Sequence, residues 1–379
     1  MNNMKTLNIG FARMHLEKGE RRDFLPGFIS HLSQNGWNIK LEHGIGEEIG
    51  LNEKVYLNAV PSAEFVSQEE IYQQDYVIVL RYPGDTLVRT MRSGSCLISM
   101  LHFPTRPDRV SLMNDLNIEG VAIDMIKDDS GRRLVENLKS VGWNGVGIAF
   151  QVLSDIYPAP GFDSPYRMPI KVTLLGPGAV GIQAVQAAAR YGDDGLHDHM
   201  ADLGVPGVQV TVLDYDFTRH ENIMLNILSE TDILIDATQR QDTSQVIIPN
   251  AWISVMPDHA VLLDLSVDPY DFSSDHYSIK GIEGMPQGNL DQYIFSPDDQ
   301  AWDAIPKNVS TKNRRYAVSC YSWPGIYPRE CMQVYGKQLR PILRTISDAG
   351  GIERIRKHGK YFHRAISKAM LSQWETWLE

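Results

Sequence analysis

Apolar residues in this chain gather into short runs separated by helical stretches. Tyr76 to Leu80 (Tyr-Val-Ile-Val-Leu) is apolar at every position, which reads as a strand buried on both faces. Ser95 to Leu101, ending at His102, and Val121 to Asp124 read as further strands, as do Thr6 to Phe11 and Trp37 to Glu42. A helix over Phe24 to Asn35, broken by Gly36, separates the last two. Strands alternating with helices predict parallel sheets with helices on their faces. Leu134 to Ile156 predicts a long helix interrupted by Gly142, Gly145 and Gly147, which permit close approach of another helix. A Pro/Gly/Asp-rich linker follows, Tyr157 to Met168. From about Pro169, strands at Val172 to Leu175, Gln209 to Leu213, Ile233 to Asp236 and Ala260 to Val267 have the spacing of a doubly wound nucleotide fold. The final part, Cys320 to Glu379, reads as largely helical: Tyr327-Pro328-Arg329-Glu330 opens one helix and Ile352 to Leu378 forms the last.

A chain of 379 residues exceeds one compact core, so two domains are expected. Residues 1–140 plus 320–379 form a substrate domain and residues 141–319 a dinucleotide-binding domain. The fold class is α/β: two Rossmann-like doubly wound domains separated by an interdomain cleft and joined by long helices. A formal net charge of −11 argues against nucleic acid or an anionic membrane as the main partner. It leaves room for a local cationic pocket. No signal-type apolar region follows the N-terminal Met-Asn-Asn-Met-Lys, and no run is long enough to span a bilayer, which together predict a cytoplasmic protein. Cys96, Cys320 and Cys331 read as reduced thiols, with a Cys320–Cys331 disulfide the lesser alternative.

The densest chemical signal is Lys171 to Gly181, Lys-Val-Thr-Leu-Leu-Gly-Pro-Gly-Ala-Val-Gly. Strand, tight glycine turn and Ala-rich helix let backbone N–H groups and a helix N-terminus hold a pyrophosphate. The spacing alone is weak, because glycine turns are common; the flanking strand and helix supply the required context. Gly176, Gly178, Ala179, Val180 and Gly181 are the candidate cofactor residues, with Thr238 just past a later strand. Asp214 ends the second strand of this domain, where a carboxylate accepts hydrogen bonds from ribose hydroxyls and repels a 2′-phosphate. That favours NAD, while nearby Arg219 keeps NADP open. Asp214 lies farther from Gly181 than the roughly 20 residues that are usual, and the excess fits an insertion around Gly192 to Met200. His197 and His199, with Asp193, Asp194 and Asp198, lack the spacing of a structural zinc site and read as a solvated loop, so no metal is expected.

In the first domain Arg21 precedes a helix, Arg81 follows the buried strand, and His102 follows the next one. Ligands of parallel sheets bind outside the carboxyl ends of strands. Arginines there can grip carboxylates bidentately, and a histidine can carry a proton. Taken singly, each arginine reads as a surface charge and the histidine as a structural group. Beside a dinucleotide domain they read together as a substrate site.

These residues resemble the alanine dehydrogenase/pyridine nucleotide transhydrogenase superfamily over nearly the whole chain. The likeness rests on Arg21 five positions before Pro26, Arg81-Tyr82-Pro83, Leu101-His102, the glycine turn, Asp214, and Leu263-Asp264-Leu265-Ser266-Val267-Asp268. It implies that Arg21 binds the substrate carboxylate, that His102 is the acid/base, and that Asp268 lies near the nicotinamide. The family's lysine is Arg81 here; arginine keeps its proton, so Arg81 can bind a carboxylate but cannot act as a base. Asp124 through Arg132-Arg133, Leu203-Gly204-Val205-Pro206, and Trp323 to Leu343 look more like the saccharopine dehydrogenase branch.

The resemblance implies an NAD(P)-dependent oxidoreductase acting on the C–N bond of a small amino-acid or oxo-acid substrate. One form condenses an oxo acid with an amino acid reductively. Arg132 and Arg133, with Asp124 alongside, would then contact the larger substrate, the arginines taking a second carboxylate; as a solvated turn they would do nothing of the kind. The other form is alanine dehydrogenase-type deamination. The reading leans to the first. A non-catalytic NAD(H) sensor is the third alternative. Members of this family commonly form dimers to hexamers, so a homo-oligomer is compatible with the chain.

Overall fold

A computed structural model of the chain describes residues 6–14, 16–272 and 277–377. Met1 to Lys5, and Leu378 at the end of the last expected helix, lie outside the described residues. The chain divides into two compact units, one of Met1–Asn137 with Tyr327–Glu379 and one of Leu138–Ile326.

The first unit holds a six-stranded parallel sheet of β1 (Leu7–Phe11), β2 (Trp37–Glu42), β3 (Glu64–Val66), β4 (Tyr76–Arg81), β5 (Cys96–Met100) and β6 (Glu119–Ala122). Their order, β3-β2-β1-β4-β5-β6, reverses direction between β1 and β4. That reversal opens a crevice at the carboxyl ends of the two strands, the usual place for a ligand. Side chains of a strand point alternately to its two faces, and both faces of β4 are covered. Tyr76, Ile78 and Leu80 join one core with Leu339, Ile342 and Ile346 of the helix Pro328–Ala349. Val77 and Val79 join the other with Leu112 and Met113 of the helix Pro107–Asp115. The unbroken apolar run is the consequence.

The second unit holds β7 (Ile170–Leu175), β8 (Val208–Leu213), β9 (Ile233–Asp236), β10 (Val261–Asp264), a hairpin of β11 (Asp271–Phe272) with β12 (Tyr277–Ser278), then β13 (Ile294–Phe295) and β14 (Tyr316–Ser319). The main sheet runs β13-β14-β10-β9-β7-β8, parallel except for β13. Its reversal point lies between β7 and β9. The helix Leu138–Ile156 packs on the helix Ala179–Ala188 through Gly142, where an added Cβ would lie 2.8 Å from the Ala184 nitrogen. Gly142 alone admits a neighbouring helix; Gly145 faces the Leu265 and Trp323 side chains, and Gly147 the Gly192 backbone.

Three expectations change. The long helix begins at Leu138 rather than Leu134, because Leu134 N–H bonds the Ile126 carbonyl and closes a tight turn. The segment after Ile352 is broken rather than one helix: the helix Tyr361–Ser367 is followed by residues that leave to pair with β6, Ala122 N–H to Ala369 and Leu371 N–H to Gly120. They cover a sheet edge that would otherwise expose unpaired backbone groups. The segment expected as a solvated loop is the helix Asp194–Asp202, capped by the Asp193 side chain on Leu196 N–H. Cys96, Cys320 and Cys331 are buried thiols. No helix among the described residues is long and apolar enough to cross a membrane.

Candidate functional site

In the second unit the three glycines after β7 carry different duties. Gly176 has φ +87°, and a Cβ there would meet the Ala237 and Thr238 backbone, so it brings the β7 and β9 ends together. Gly181 lies inside the following helix, where a Cβ would sit 2.1 Å from the Gly176 carbonyl oxygen. Gly178 is the helix N-cap, and a Cβ there would meet nothing within 4 Å. Its side of the turn is open, and Ala179 and Val180 follow in the first helical turn. A cavity of about 890 Å³ adjoins the turn and is lined by Gly176, Asp214, Arg219, Thr238, Arg240 and Trp252. Asp214 is exposed past β8, with one carboxylate oxygen accepting Tyr215 N–H at 2.7 Å. Arg219 stands 5.2 Å over the Tyr215 ring. These groups fit a dinucleotide: open amides at a helix start, an exposed carboxylate for hydroxyls, and an aromatic surface.

Behind Thr238 lies a buried polar network that the sequence did not announce. Asp236, at the end of β9, accepts hydrogen bonds from Thr238 N–H at 3.0 Å and its hydroxyl at 2.7 Å. Asp264, at the end of β10, accepts from Lys280 Nζ (2.6 Å), the Ser319 hydroxyl (3.0 Å), the Ser266 hydroxyl (3.0 Å) and Val267 N–H (2.8 Å). Burial and then the Asp264 charge push the Asp236 carboxyl up to about 6. Burial pushes Asp264 up as well, but Lys280 overrides it and holds that carboxyl below its ordinary value. Val267 is held at φ +63°, a strained setting for a β-branched residue. Asp268 therefore leaves the sheet in a fixed direction. Its carboxylate is paired with Arg240 at 2.7 Å, and its carbonyl accepts from Lys280 at 3.2 Å.

In the first unit His102 lies two residues past the end of β5, with φ +52°. Asp124 anchors it: one carboxylate oxygen accepts Leu101 N–H (2.9 Å) and His102 N–H (3.3 Å), and the other meets His102 Nδ1 at 3.1 Å. Asp124 is 8% exposed, whereas the His102 side chain is 50% exposed. Burial raises the Asp124 carboxyl, yet hydrogen bonds and charge from His102 hold it below the ordinary value. A carboxylate on Nδ1 keeps the proton there and leaves Nε2 as the open, basic nitrogen. Asp124 is expected from sequence as a substrate ligand; in the fold its oxygens meet Leu101 N–H, His102 N–H and His102 Nδ1.

Arg81 ends β4 and is ion-paired with Glu17 at 2.6 Å. Glu20 pairs with the buried Arg22, while Arg21 is exposed and offers its backbone N–H to Glu20 at 3.0 Å. Burial pushes the Glu20 carboxyl up, and Arg22, with a smaller contribution from Arg81, brings it below the usual range. Arg132 and Arg133 are exposed on the turn Asp128 to Arg133. Asp129 of that turn is held down to about 2, chiefly by its hydrogen bond from Arg364. The turn is thereby tied to the helix Tyr361–Ser367. Sequence reasoning missed Arg109, in the first turn of the helix Pro107–Asp115, which lies 4.1 Å over the Tyr82 ring.

Comparison with known proteins gives consistent neighbours. Residues 16–141 match the family model of the alanine dehydrogenase/PNT N-terminal domain. An NAD(P) transhydrogenase subunit alpha from Haemophilus influenzae is 21% identical over 352 residues, 89% of this chain and 66% of that protein. The chain thus spans about two thirds of that relative. An alanine dehydrogenase from Bacillus subtilis is 24% identical over 272 residues, 69% of this chain and 70% of that protein. Among solved structures, an L-alanine dehydrogenase covers 96% of this chain and is itself covered over 94%, with TM-score 0.70 and 16% identity. A transhydrogenase from Sinorhizobium meliloti covers 89% and is covered over 93%, with TM-score 0.57 and 16% identity. The Rossmann-like α/β fold is shared with both.

Proposed function

We propose, from the chain's membership of the alanine dehydrogenase/pyridine nucleotide transhydrogenase superfamily, that it is a nicotinamide-dependent oxidoreductase that deaminates an amino acid. The observation that carries this reading is the His102–Asp124 pair, an oriented acid–base group at a strand end within the family-matched segment. The relatives favour deamination over the reductive condensation to which the sequence reading leaned, since an alanine dehydrogenase is among them and the saccharopine-like segments gain no support.

In this account the first unit handles the amino acid and the second the cofactor. A nicotinamide cofactor held at the glycine turn of the second unit would supply the acceptor for the Cα hydride. The amine becomes an imine and water adds to it. His102 Nε2 takes one proton of that water, gives it to the nitrogen of the resulting carbinolamine, and takes the remaining hydroxyl proton as ammonia departs and the oxo-acid carbonyl forms. Asp124 holds the ring and steadies its charged form. Arg21 is exposed and suited to the substrate carboxylate. Arg81 contributes positive charge, tempered by Glu17. Gly176, Gly178 and Gly181 would hold the diphosphate, and Asp214 the ribose hydroxyls, which favours NAD over NADP. Thr238 and Asp268 are set by the network behind them. Arg132 and Arg133 have no role in deamination.

The test is a panel of L-amino acids with NAD or NADP, followed at the NADH absorbance, together with the reverse reaction of oxo acids with ammonia. Turnover of an amino acid with matching reverse reaction is expected. Cofactor binding without turnover in either direction would replace this reading with that of an NAD(H) sensor.

A further inference from the structure

We propose that Arg109, with Arg106, forms a second anion site beside His102, so that the substrate is an amino acid or oxo acid carrying a side-chain carboxylate. The inference rests on the dehydrogenase reading for its substrate class, and on local geometry for the site.

Arg109 bridges the two strand ends that carry the candidate chemistry. Its guanidinium covers Tyr82, the residue after Arg81 at the end of β4, at 4.1 Å. Its Nη1 donates to the carbonyl of Leu101, the residue before His102, at 3.4 Å. The Tyr82 hydroxyl is fixed on Asp85 at 2.7 Å, so the ring is a rigid floor under the cation. The same tyrosine lines the small cavity that Arg81, Glu17 and Glu20 border.

The setting is poor for a purely structural cation. The side chain is half-buried, and among the described residues no carboxylate lies within ion-pair distance of it. Burial first, and then Arg106 and Arg81, push its proton affinity down; Tyr82 and Asp85 only partly offset them. Arg106 is the N-cap of the helix Pro107–Asp115 and Arg109 lies in its first turn, where the helix dipole disfavours cations. Asp108 of that turn is exposed. Arg106 and Arg109 at a helix start therefore concentrate positive potential just past β5, with the Glu17-paired Arg81 a minor addition. Cation–π stacking returns too little to offset burial among like charges. An anion brought in by the ligand relieves the repulsion, and the planar fork of Arg109 suits a carboxylate.

The test uses the full chain and two probes of similar size, glutarate and butyrate, by calorimetry, with L-glutamate and L-2-aminobutyrate assayed for turnover. Wild-type protein is expected to bind glutarate at least about tenfold more tightly than butyrate, as befits a charge-assisted contact. Arg109→Gln should abolish that preference and leave butyrate binding unchanged. Arg109→Lys, which keeps the charge without the fork, should lose most of it and serves if the glutamine variant does not fold. Equal binding of the two acids by wild type, or a preference that survives in the variants, overturns the proposal. If the glutarate preference stands and no amino acid turns over, the dehydrogenase reading falls and the anion site remains.

Discussion

Replacing His102 by glutamine is expected to lower kcat for the amino-acid reaction by about 10³, with KM changing little, since a positioned acid–base group contributes about 10²–10⁴. The loss should be seen in both directions, because the same imidazole takes and returns the proton. Cofactor affinity should change little, since in this account the glycine turn and Asp214 supply the cofactor contacts. Asp124→Asn gives the more discriminating result. An asparagine oxygen can still accept from Leu101 and His102 N–H, so the backbone should hold, but the ring loses its charged partner. A fall in kcat of about 10² is expected. The wild-type Asp124 carboxyl is depressed in the fold, so its stabilisation is present above its unfolded value and fades only as pH falls through the lower folded one. An acid limb in the kcat profile near neutrality therefore belongs to another group. Steady-state kinetics across pH 5 to 9 in the three proteins would check this; wild-type rates in His102→Gln would remove the histidine from the mechanism.

Lys280→Met should be the most destabilising of the changes considered. Lys280 is buried with Asp264, and its removal leaves a buried carboxylate facing Asp236 without its cation. Breaking such a pair costs about 3–5 kcal/mol. At this chain length that corresponds to a fall in Tm on the order of 10 °C. The double variant Lys280→Met/Asp264→Asn should recover much of the loss, since removing both charges avoids the unpaired one. The penalty should be greater at pH 8 than at pH 5, where the stranded Asp264 can take a proton. Asp236 adds a signature of its own. Its folded value, raised to about 6, lies above the unfolded one near 3.9, so stability is lost as pH rises through that window. Thermal unfolding of the single and double variants at both pH values decides it; an unchanged Tm in Lys280→Met would show that the network holds nothing.

The strands were readable from the chain because parallel sheets covered on both sides demand unbroken apolar runs, as in Tyr76 to Leu80. The glycine turn was readable because a strand and a helix flank it, and two of its glycines, Gly176 and Gly181, stand where a side chain would collide with backbone. The segment after Ile352 was not readable, because its course depends on pairing with a distant strand edge at Gly120 and Ala122. Nor does sequence separate Arg21 from Arg22: only the fold shows which one pairs with Glu20 in the interior. Asp124 reads as a ligand through the likeness of the segment from Asp124 to Arg133 to the saccharopine dehydrogenase branch, whereas its partner His102 lies 22 residues away. Lys280 lies in a loop with no periodic signal. Arg109 was hidden in an ordinary helix start, where Pro107-Asp108 explains the local sequence without it.

The most direct test of the whole account is a calorimetric titration of wild type and Gly178→Val with NADH and NADPH. A valine at Gly178 meets no neighbour within 4 Å and should leave the fold intact while filling the space of the diphosphate. The account predicts saturable binding of NADH to wild type with a dissociation constant between about 1 µM and 1 mM, weaker binding of NADPH, and loss of both in the variant. No heat with either nucleotide in wild type, or equal binding in folded Gly178→Val, would contradict it.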